Sequence, residues 1–234
     1  LTVVEIMNAV HENTIKGMYV QGENPAMSDP DQKHAREGFA MLDHLVVQDI
    51  FPTETAFFAD VVLPASSQAE KLGTYTNTNR QIQIGRPIVD LPGDSRQDWE
   101  VIVQIANRMG CGWDYKDISD VFKEMSQTMA SLDNITWDRL LEEDAVTYPS
   151  SGPKTPGQEI LFGEGFPTPS GKGKIVPADL VPPDELPDDE FPLVLTTGRM
   201  LEHWHTGAMT TRSEALNAHE PEPVVSMHPK DIVK

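Results

Sequence analysis

Between Met18 and Pro64 three apolar runs alternate with two helical patterns, and the links between them are short. The runs are Met18-Tyr-Val-Gln21, His44-Leu-Val-Val-Gln-Asp49 and Asp60-Val-Val-Leu-Pro64. The second has the continuous apolar centre of a strand covered on both faces. A helix is predicted from about Pro30 to Met41, with Ala35, Phe39 and Leu42 facing inward. A shorter one covers Thr53 to Ala59, with Thr53 as its cap. Strand, helix, strand, helix, strand with such links calls for parallel strands and right-handed crossovers.

The ends of all three strands then share one sheet edge, where doubly wound folds hold nucleotides. The first tip is Gly22-Glu-Asn-Pro25, in which Gly22 lets the chain turn sharply. Ser28 follows, and Asp29-Pro30 reads as an N-cap with proline at the first helical position. Gln48 to Ile50 and Pro64 to Ser66 form the other two tips. Polar residues gather at all three, although any parallel sheet also needs turn residues there.

Charge and cysteine content exclude several function classes. A net charge of −19 argues against a nucleic-acid or anionic-membrane partner, either of which calls for a basic surface. The single cysteine, Cys111, rules out an internal disulfide and cannot supply a four-cysteine iron–sulfur or zinc site. No apolar run approaches membrane-spanning length, and the start has no signal-peptide layout. Leu1 opens directly into a helical pattern from about Thr2 to Glu12. The chain stops at Lys234 within what reads as a helix start, so both ends are expected to continue into a longer polypeptide.

Farther along, Gln81-Ile-Gln-Ile84 alternates like a half-exposed strand. Ser95-x-x-Asp98 resembles a capping box opening a helix with Trp99, Ile102, Val103, Ala106 and Met109 on one face. Gly110 ends it. Asp98 has two readings, a helix-start carboxylate or a ligand contact, and the spacing favours the first. Val121, Phe122, Met125 and Met129 mark another helix, capped by Asp117 or Ser119. Thr136 starts a short helix through Leu141, whose Arg139 is assigned no ligand role. Ten prolines between Pro149 and Pro192 imply a long wrapping connection from Ala145 to Glu190. Five acids from Asp184 to Glu190 read as a solvated hinge, and Phe191-Pro-Leu-Val-Leu195 as the first strand of a second domain.

The residues after that strand are the most unusual. Thr196-Thr-Gly-Arg199 offers hydroxyls, backbone amides and a guanidinium, and His203, His205 and Arg212 follow. In so acidic a chain this local positive charge suits a diphosphate or another polyanion. His203-x-His205 also has zinc-like spacing, but no cysteine or placed carboxylate completes a ligand set. Histidines with purely structural hydrogen bonds remain the other reading.

Gly22-Glu-Asn-Pro25, Gln48-Asp-Ile-Phe-Pro-Thr-Glu-Thr-Ala56, Ala59-Asp-Val-Val-Leu-Pro-Ala65 and Thr196-Thr-Gly-Arg199 with Glu202-His-Trp-His-Thr206 resemble molybdopterin oxidoreductases. Among these the chain is most similar to catalytic alpha subunits of molybdenum-dependent formate dehydrogenases of the cytoplasmic, NAD-linked type. The resemblance implies an α/β fold. A Rossmann-like parallel-sheet domain (residues 1–115) is followed by a helical, Pro/Gly-rich connection (116–190) and the first part of a double-psi β-barrel (191–234). It also implies two molybdopterin guanine dinucleotides holding molybdenum or tungsten. Carried over by motif, Gly22, Glu23, Asn24, Ser28, Gln48, Ile50, Ala65 and Asp98 face one dinucleotide. Thr197, Gly198, Arg199, His203, His205 and Thr206 face the pterin and diphosphate region. The family's iron–sulfur cysteines and metal-ligating residue have no counterpart in this chain, so no catalytic or metal-ligating residue is assigned. Formate is the implied substrate, and flavin/NAD and iron–sulfur subunits are the implied partners. A reductase of nitrate or another oxyanion, a metal-free relative and a stand-alone nucleotide-binding module are the competing readings.

Overall fold

A computed structural model describes residues 1–183 and 185–232 of the chain. Asp184, in the expected hinge, and Val233 and Lys234 lie outside the described residues. The chain forms two compact units, one of residues 1–66, 93–96 and 197 onward, the other of residues 67–92 and 97–196. These units follow packing, whereas the division at residues 115 and 190 follows chain order.

The first unit opens with α1 (Val3–His11), started by a reciprocal cap. The Glu5 amide donates to Thr2 Oγ1 at 3.3 Å, and the Thr2 amide donates to Glu5 Oε2 at 2.5 Å. Strands β1 (Gly17–Gln21), β2 (His44–Asp49) and β3 (Val61–Pro64) form a parallel sheet in that order. Gln21 stands opposite Gln48, and Asp49 opposite Pro64, so the three carboxyl ends share one edge as expected. Leu45 and Val47 of β2 are buried with Met7, Val20, Ala35, Phe39 and Ala56 in one core. Burial of side chains this size stabilises by about 1.5–3 kcal/mol each, which is what holds the crossovers against the sheet.

Two helix starts differ from expectation. Pro25–Ser28 forms a single turn, α2, with Asn24 at the cap position and Pro25 first. Asp29 is extended, because the residue before a proline is pushed out of helical backbone. The long helix α3 (Gln32–Met41) therefore starts later, where Asp31 Oδ1 accepts from the His34 amide at 3.0 Å. The expected helix at Thr53 shrinks to a 3-10 turn at Ala56–Phe58, with Thr55 and not Thr53 preceding it.

In the second unit β4 (Gly73–Thr76), β5 (Gln81–Gly85) and β6 (Ala145–Thr147) form an antiparallel sheet. β6 falls within the stretch read as irregular, since three residues carry no periodic signal and need β5 to define them. Helix α4 (Asp98–Arg108) follows Gln97 and has no side-chain cap, so the expected capping box is absent. Its buried residues are Val101 and Ala106, while Ile102 and Met109 are exposed. Of the two cap candidates for helix α5 (Ile118–Thr128), Asp117 and not Ser119 caps it, and α6 (Trp137–Glu143) starts at Thr136 as expected. Phe122, Leu132, Ile135 and Leu140 pack with Ile82 and Val146 in this unit's core.

Phe191 to Leu195 is not a strand. Its apolar side chains are exposed and, among the described residues, no strand pairs with it, and a segment without a ladder has no sheet to join. Among the described residues, the chain after Thr147 contributes no strand. Two short helices lie near its end, α7 (Glu214–His219) and α8 (Pro229–Ile232). No helix among the described residues is long and apolar enough to cross a membrane.

Arg139 has a larger structural role than its sequence position indicates. Its side chain is buried, and Nε donates to Glu143 Oε1 at 2.8 Å. Nη1 reaches the carbonyls of Asn134 and Gly152 and the Ser150 hydroxyl, all within 3.1 Å. Nη2 donates to the Thr155 carbonyl at 2.8 Å. One guanidinium thus ties an irregular loop to α6. Arg139→Ala strands several buried acceptors and is expected to cost about 3 kcal/mol, measured as the urea midpoint of the full-length protein. Arg139→Lys is expected to restore less than half, because one ammonium cannot span those partners. A wild-type midpoint for Arg139→Ala would remove Arg139 from this role.

Candidate functional site

The edge formed by the three strand ends is braced before any ligand arrives. The β1–β2 ladder runs one residue past β1, with the Gly22 amide donating to the Gln48 carbonyl at 2.9 Å. Gly22 then turns with φ +62°, a backbone region that side-chain-bearing residues resist. Glu23 is exposed, and Asn24 turns inward and is buried. Asn24 Oδ1 accepts from the Thr55 amide at 3.1 Å and the Thr55 hydroxyl at 2.9 Å, and Nδ2 donates to Glu54 Oε2 at 2.6 Å. Thr55 Oγ1 in turn accepts from the Ala26 amide at 3.0 Å. Asn24 therefore bolts the first tip to the crossover that follows the second.

Glu54 is held below the usual glutamate range, first by the Asn24 hydrogen bond, then by its own amide, with the Arg36 and Arg212 charges adding to the effect. Gln48 is fully buried at the central tip and accepts from the Tyr19 hydroxyl. The Ile50 amide donates to Asp49 Oδ1 at 2.7 Å, which sets the direction of the chain beyond β2. Ala65 is buried, donates its amide to the Asp49 carbonyl at 3.0 Å and pairs in parallel with Arg96. Residues 93–96 thus extend the edge beside the third tip. Here sequence reasoning missed two groups: Thr53 Oγ1 and Ser95 Oγ are buried and have no hydrogen-bond partner among the described residues. Their sequence positions predict helix caps, and only their tertiary surroundings reveal them as unspent donors.

The structure brings Gly22, Glu23, Asn24, Gln48, Ile50 and Ala65 to one edge, and Ser28 ends the α2 turn that leaves the first tip. Residues 197–206 belong to the same unit, with Thr197, Gly198 and Arg199 exposed. His203 spends both ring nitrogens internally: Nε2 donates to the Glu220 carbonyl at 2.7 Å, and Nδ1 lies 3.2 Å from Thr210 Oγ1. That geometry makes it a pin holding its own segment together. His205 has φ 49° and is exposed, and Thr206 is half-buried. Asp98 is the first residue of α4 in the second unit, where its carboxylate pairs with Lys71, so the helix-start reading gains a salt bridge. Arg212, left out of the assigned site, has its guanidinium carbon 4.5 Å from the Phe51 ring centre beside the β2 tip.

Two outcomes follow from this bracing. Asn24→Asp keeps both acceptor contacts but sets a second carboxylate where a donor lay 2.6 Å from Glu54. At neutral pH the Thr55 amide is expected to exchange about tenfold faster or more, and acid should narrow the gap, because two adjacent carboxyls can share one proton. In the wild type the sign is opposite. Glu54 is depressed from 4.5, so its contribution is complete above that value and is lost as pH falls through the lowered one. At Gly22 an added Cβ meets nothing within 4 Å, so Gly22→Val should cost stability through backbone strain and not through an internal clash. Gly22→Asn, which tolerates positive φ, should unfold at a higher temperature than Gly22→Val.

A family profile described as molybdopterin oxidoreductase matches residues 1–108. A second, described as molydopterin dinucleotide binding domain, matches residues 193–234. The chain is 42% identical to the F420-dependent formate dehydrogenase subunit alpha of Methanocaldococcus jannaschii over 99% of its own length and 34% of that protein's. It is 36% identical to the probable oxidoreductase YjgC of Bacillus subtilis, over 97% of this chain and 23% of that one. The chain thus spans about a third or less of the length of these curated relatives. Its fold matches that of acetylene hydratase from Pelobacter acetylenicus with a TM-score of 0.55 at 23% identity, over 72% of this chain and 23% of the other. The two profile matches, over residues 1–108 and 193–234, show that the chain belongs to the molybdopterin oxidoreductases.

Proposed function

We propose that this chain is the part of a formate dehydrogenase alpha subunit that grips molybdopterin guanine dinucleotide. The observation that carries the reading is the 42% identity to a formate dehydrogenase alpha subunit along 99% of the chain. The site's own chemistry fits such a group. Thr53 and Ser95 hold buried hydroxyls without partners, and Gly22 leaves open space above the first tip. A polar, flat nucleotide approaching this edge would satisfy the hydroxyls and pass Gly22 unobstructed.

In this reading Gly22, Glu23, Asn24, Ser28, Gln48, Ile50 and Ala65 shape the seat of one dinucleotide. Asn24 acts by holding the tip in place, since its side chain is already engaged. Thr197, Gly198 and Arg199 supply an amide- and guanidinium-lined approach for the diphosphate of the bound cofactor. His203 fixes the segment that carries His205 and Thr206. The bound metal–pterin group, with molybdenum or tungsten, supplies the two-electron chemistry that turns formate into carbon dioxide. We place the double-psi barrel and the iron–sulfur cysteines within the longer protein that the relatives' length implies. The relatives' name favours F420 over NAD as the electron acceptor, reached through a partner subunit in the cytoplasm.

Acid hydrolysis of the full-length protein should release GMP, accompanied by molybdenum or tungsten in elemental analysis. Active protein with neither would end the reading. Arg199→Ala is expected to weaken retention of the GMP-yielding cofactor about ten- to a hundredfold, the loss of one charged hydrogen bond. Arg199→Lys should recover part of it. Lys33→Ala, on an exposed helix ion pair, serves as the control. Equal loss at both positions would discard the diphosphate assignment.

A further inference from the structure

The contact between Arg212 and Phe51 joins two segments that are 161 positions apart, and each is already rigid. On one side, residues 207–217 form a knot of short-range bonds. Thr211 Oγ1 donates to the Gly207 carbonyl at 2.6 Å, and Asn217 Nδ2 to the Thr211 carbonyl at 2.5 Å. Arg212 Nε donates to the Ala208 carbonyl at 3.0 Å, which orients the guanidinium from within its own segment. On the other side, Phe51 follows Ile50, whose amide is fastened to Asp49, and precedes the Thr55 held by Asn24. Glu54, three residues beyond Phe51, feels the Arg212 charge. The knot also carries His203, because Thr210 Oγ1 meets His203 Nδ1 at 3.2 Å and accepts from the Trp204 amide at 3.1 Å.

We propose that Arg212 is a positioning residue, whose guanidinium lies on the Phe51 ring and fixes residues 203–206 against the tip of β2. A planar cation over an aromatic face is attracted by the ring quadrupole, and at 4.5 Å the pair is well within the range of that attraction. Because both partners are oriented locally, closing the contact orders few additional bonds, and most of the attraction is available for docking. A displacement of Arg212 is passed through Thr210 to His203 and Trp204. The clasp itself is independent of the cofactor. Its use, to hold the His203 segment over a bound dinucleotide, rests on the reading given under Proposed function.

The test is hydrogen–deuterium exchange of the Trp204, Gly207 and Thr211 amides in the full-length protein prepared without cofactor, so the outcome does not depend on what the site binds. Arg212→Ala and Phe51→Leu should each speed exchange by about three- to thirtyfold, the span of exposed to partly desolvated cation–π pairs. The double variant should be no faster than either single one, since both remove the same contact. Phe51→Tyr should exchange as the wild type does, because the aromatic face is kept, which separates the clasp from apolar filling by Leu. Glu54→Gln should leave these amides unchanged. Additive effects in the double variant, or equal exchange in Phe51→Leu and Phe51→Tyr, would overturn the proposal. So would a Glu54→Gln effect matching Arg212→Ala, which would give the role to the carboxylate. Protein that shows the clasp but yields no GMP when prepared with cofactor would refute the cofactor reading alone.

Discussion

The parallel ladder between β1 and β2 is the constraint on which the first unit depends. It registers Gly17 against His44 through Gln21 against Gln48, and the same hydrogen bonding continues into Gly22. Register in a sheet is set once one face is buried, because a shift of one residue would turn Leu45 and Val47 out of the core. With β1 and β2 locked and β3 added in parallel, all three chain reversals must occur at one edge. The site is a consequence of that arithmetic of strand direction and not of any single ligand-binding residue.

That edge illustrates how a candidate binding surface is kept rigid by groups that need not touch a ligand. Asn24 is nearly saturated by Thr55 and Glu54. Gln48 is fully buried with Tyr19 as a partner, and His203 is held by Thr210 and Glu220. The groups with unspent capacity are different ones, the hydroxyls of Thr53 and Ser95. A buried hydroxyl without a partner costs free energy in the bare protein, and that cost is offset when a polar ligand supplies the missing bond. In the proposed seat, residues that shape it and residues that could bond within it are thus partly distinct sets.

The second unit is organised on another principle. Its antiparallel sheet is short, and the long Pro- and Gly-rich stretch that follows contributes little to a core. Arg139 compensates by drawing the carbonyls of Asn134, Gly152 and Thr155 onto one charged fork. A loop without strand or helix partners for its carbonyls still has to satisfy them, and a five-donor side chain is an economical means.

Local chemistry determined much of this protein from sequence alone. The three strands, a cap at Asp117 or Ser119, the helix start at Thr136 and the turn at Gly22 are legible because each depends on neighbours a few residues away, and the short strand–helix–strand links call for the parallel order. The motif wording also led to the family. What tertiary structure alone decided were the distant partners. Thr53 and Ser95 became buried orphans instead of caps, and Arg139 became a hub. Asp98 found Lys71, and Arg212 found Phe51. Phe191 to Leu195 shows the same rule in reverse: a strand-like sequence stays irregular when no partner strand lies beside it. Propensity and spacing report on backbone preference along the chain, whereas a ladder, an ion pair or a cation–π contact exists only once two remote segments meet.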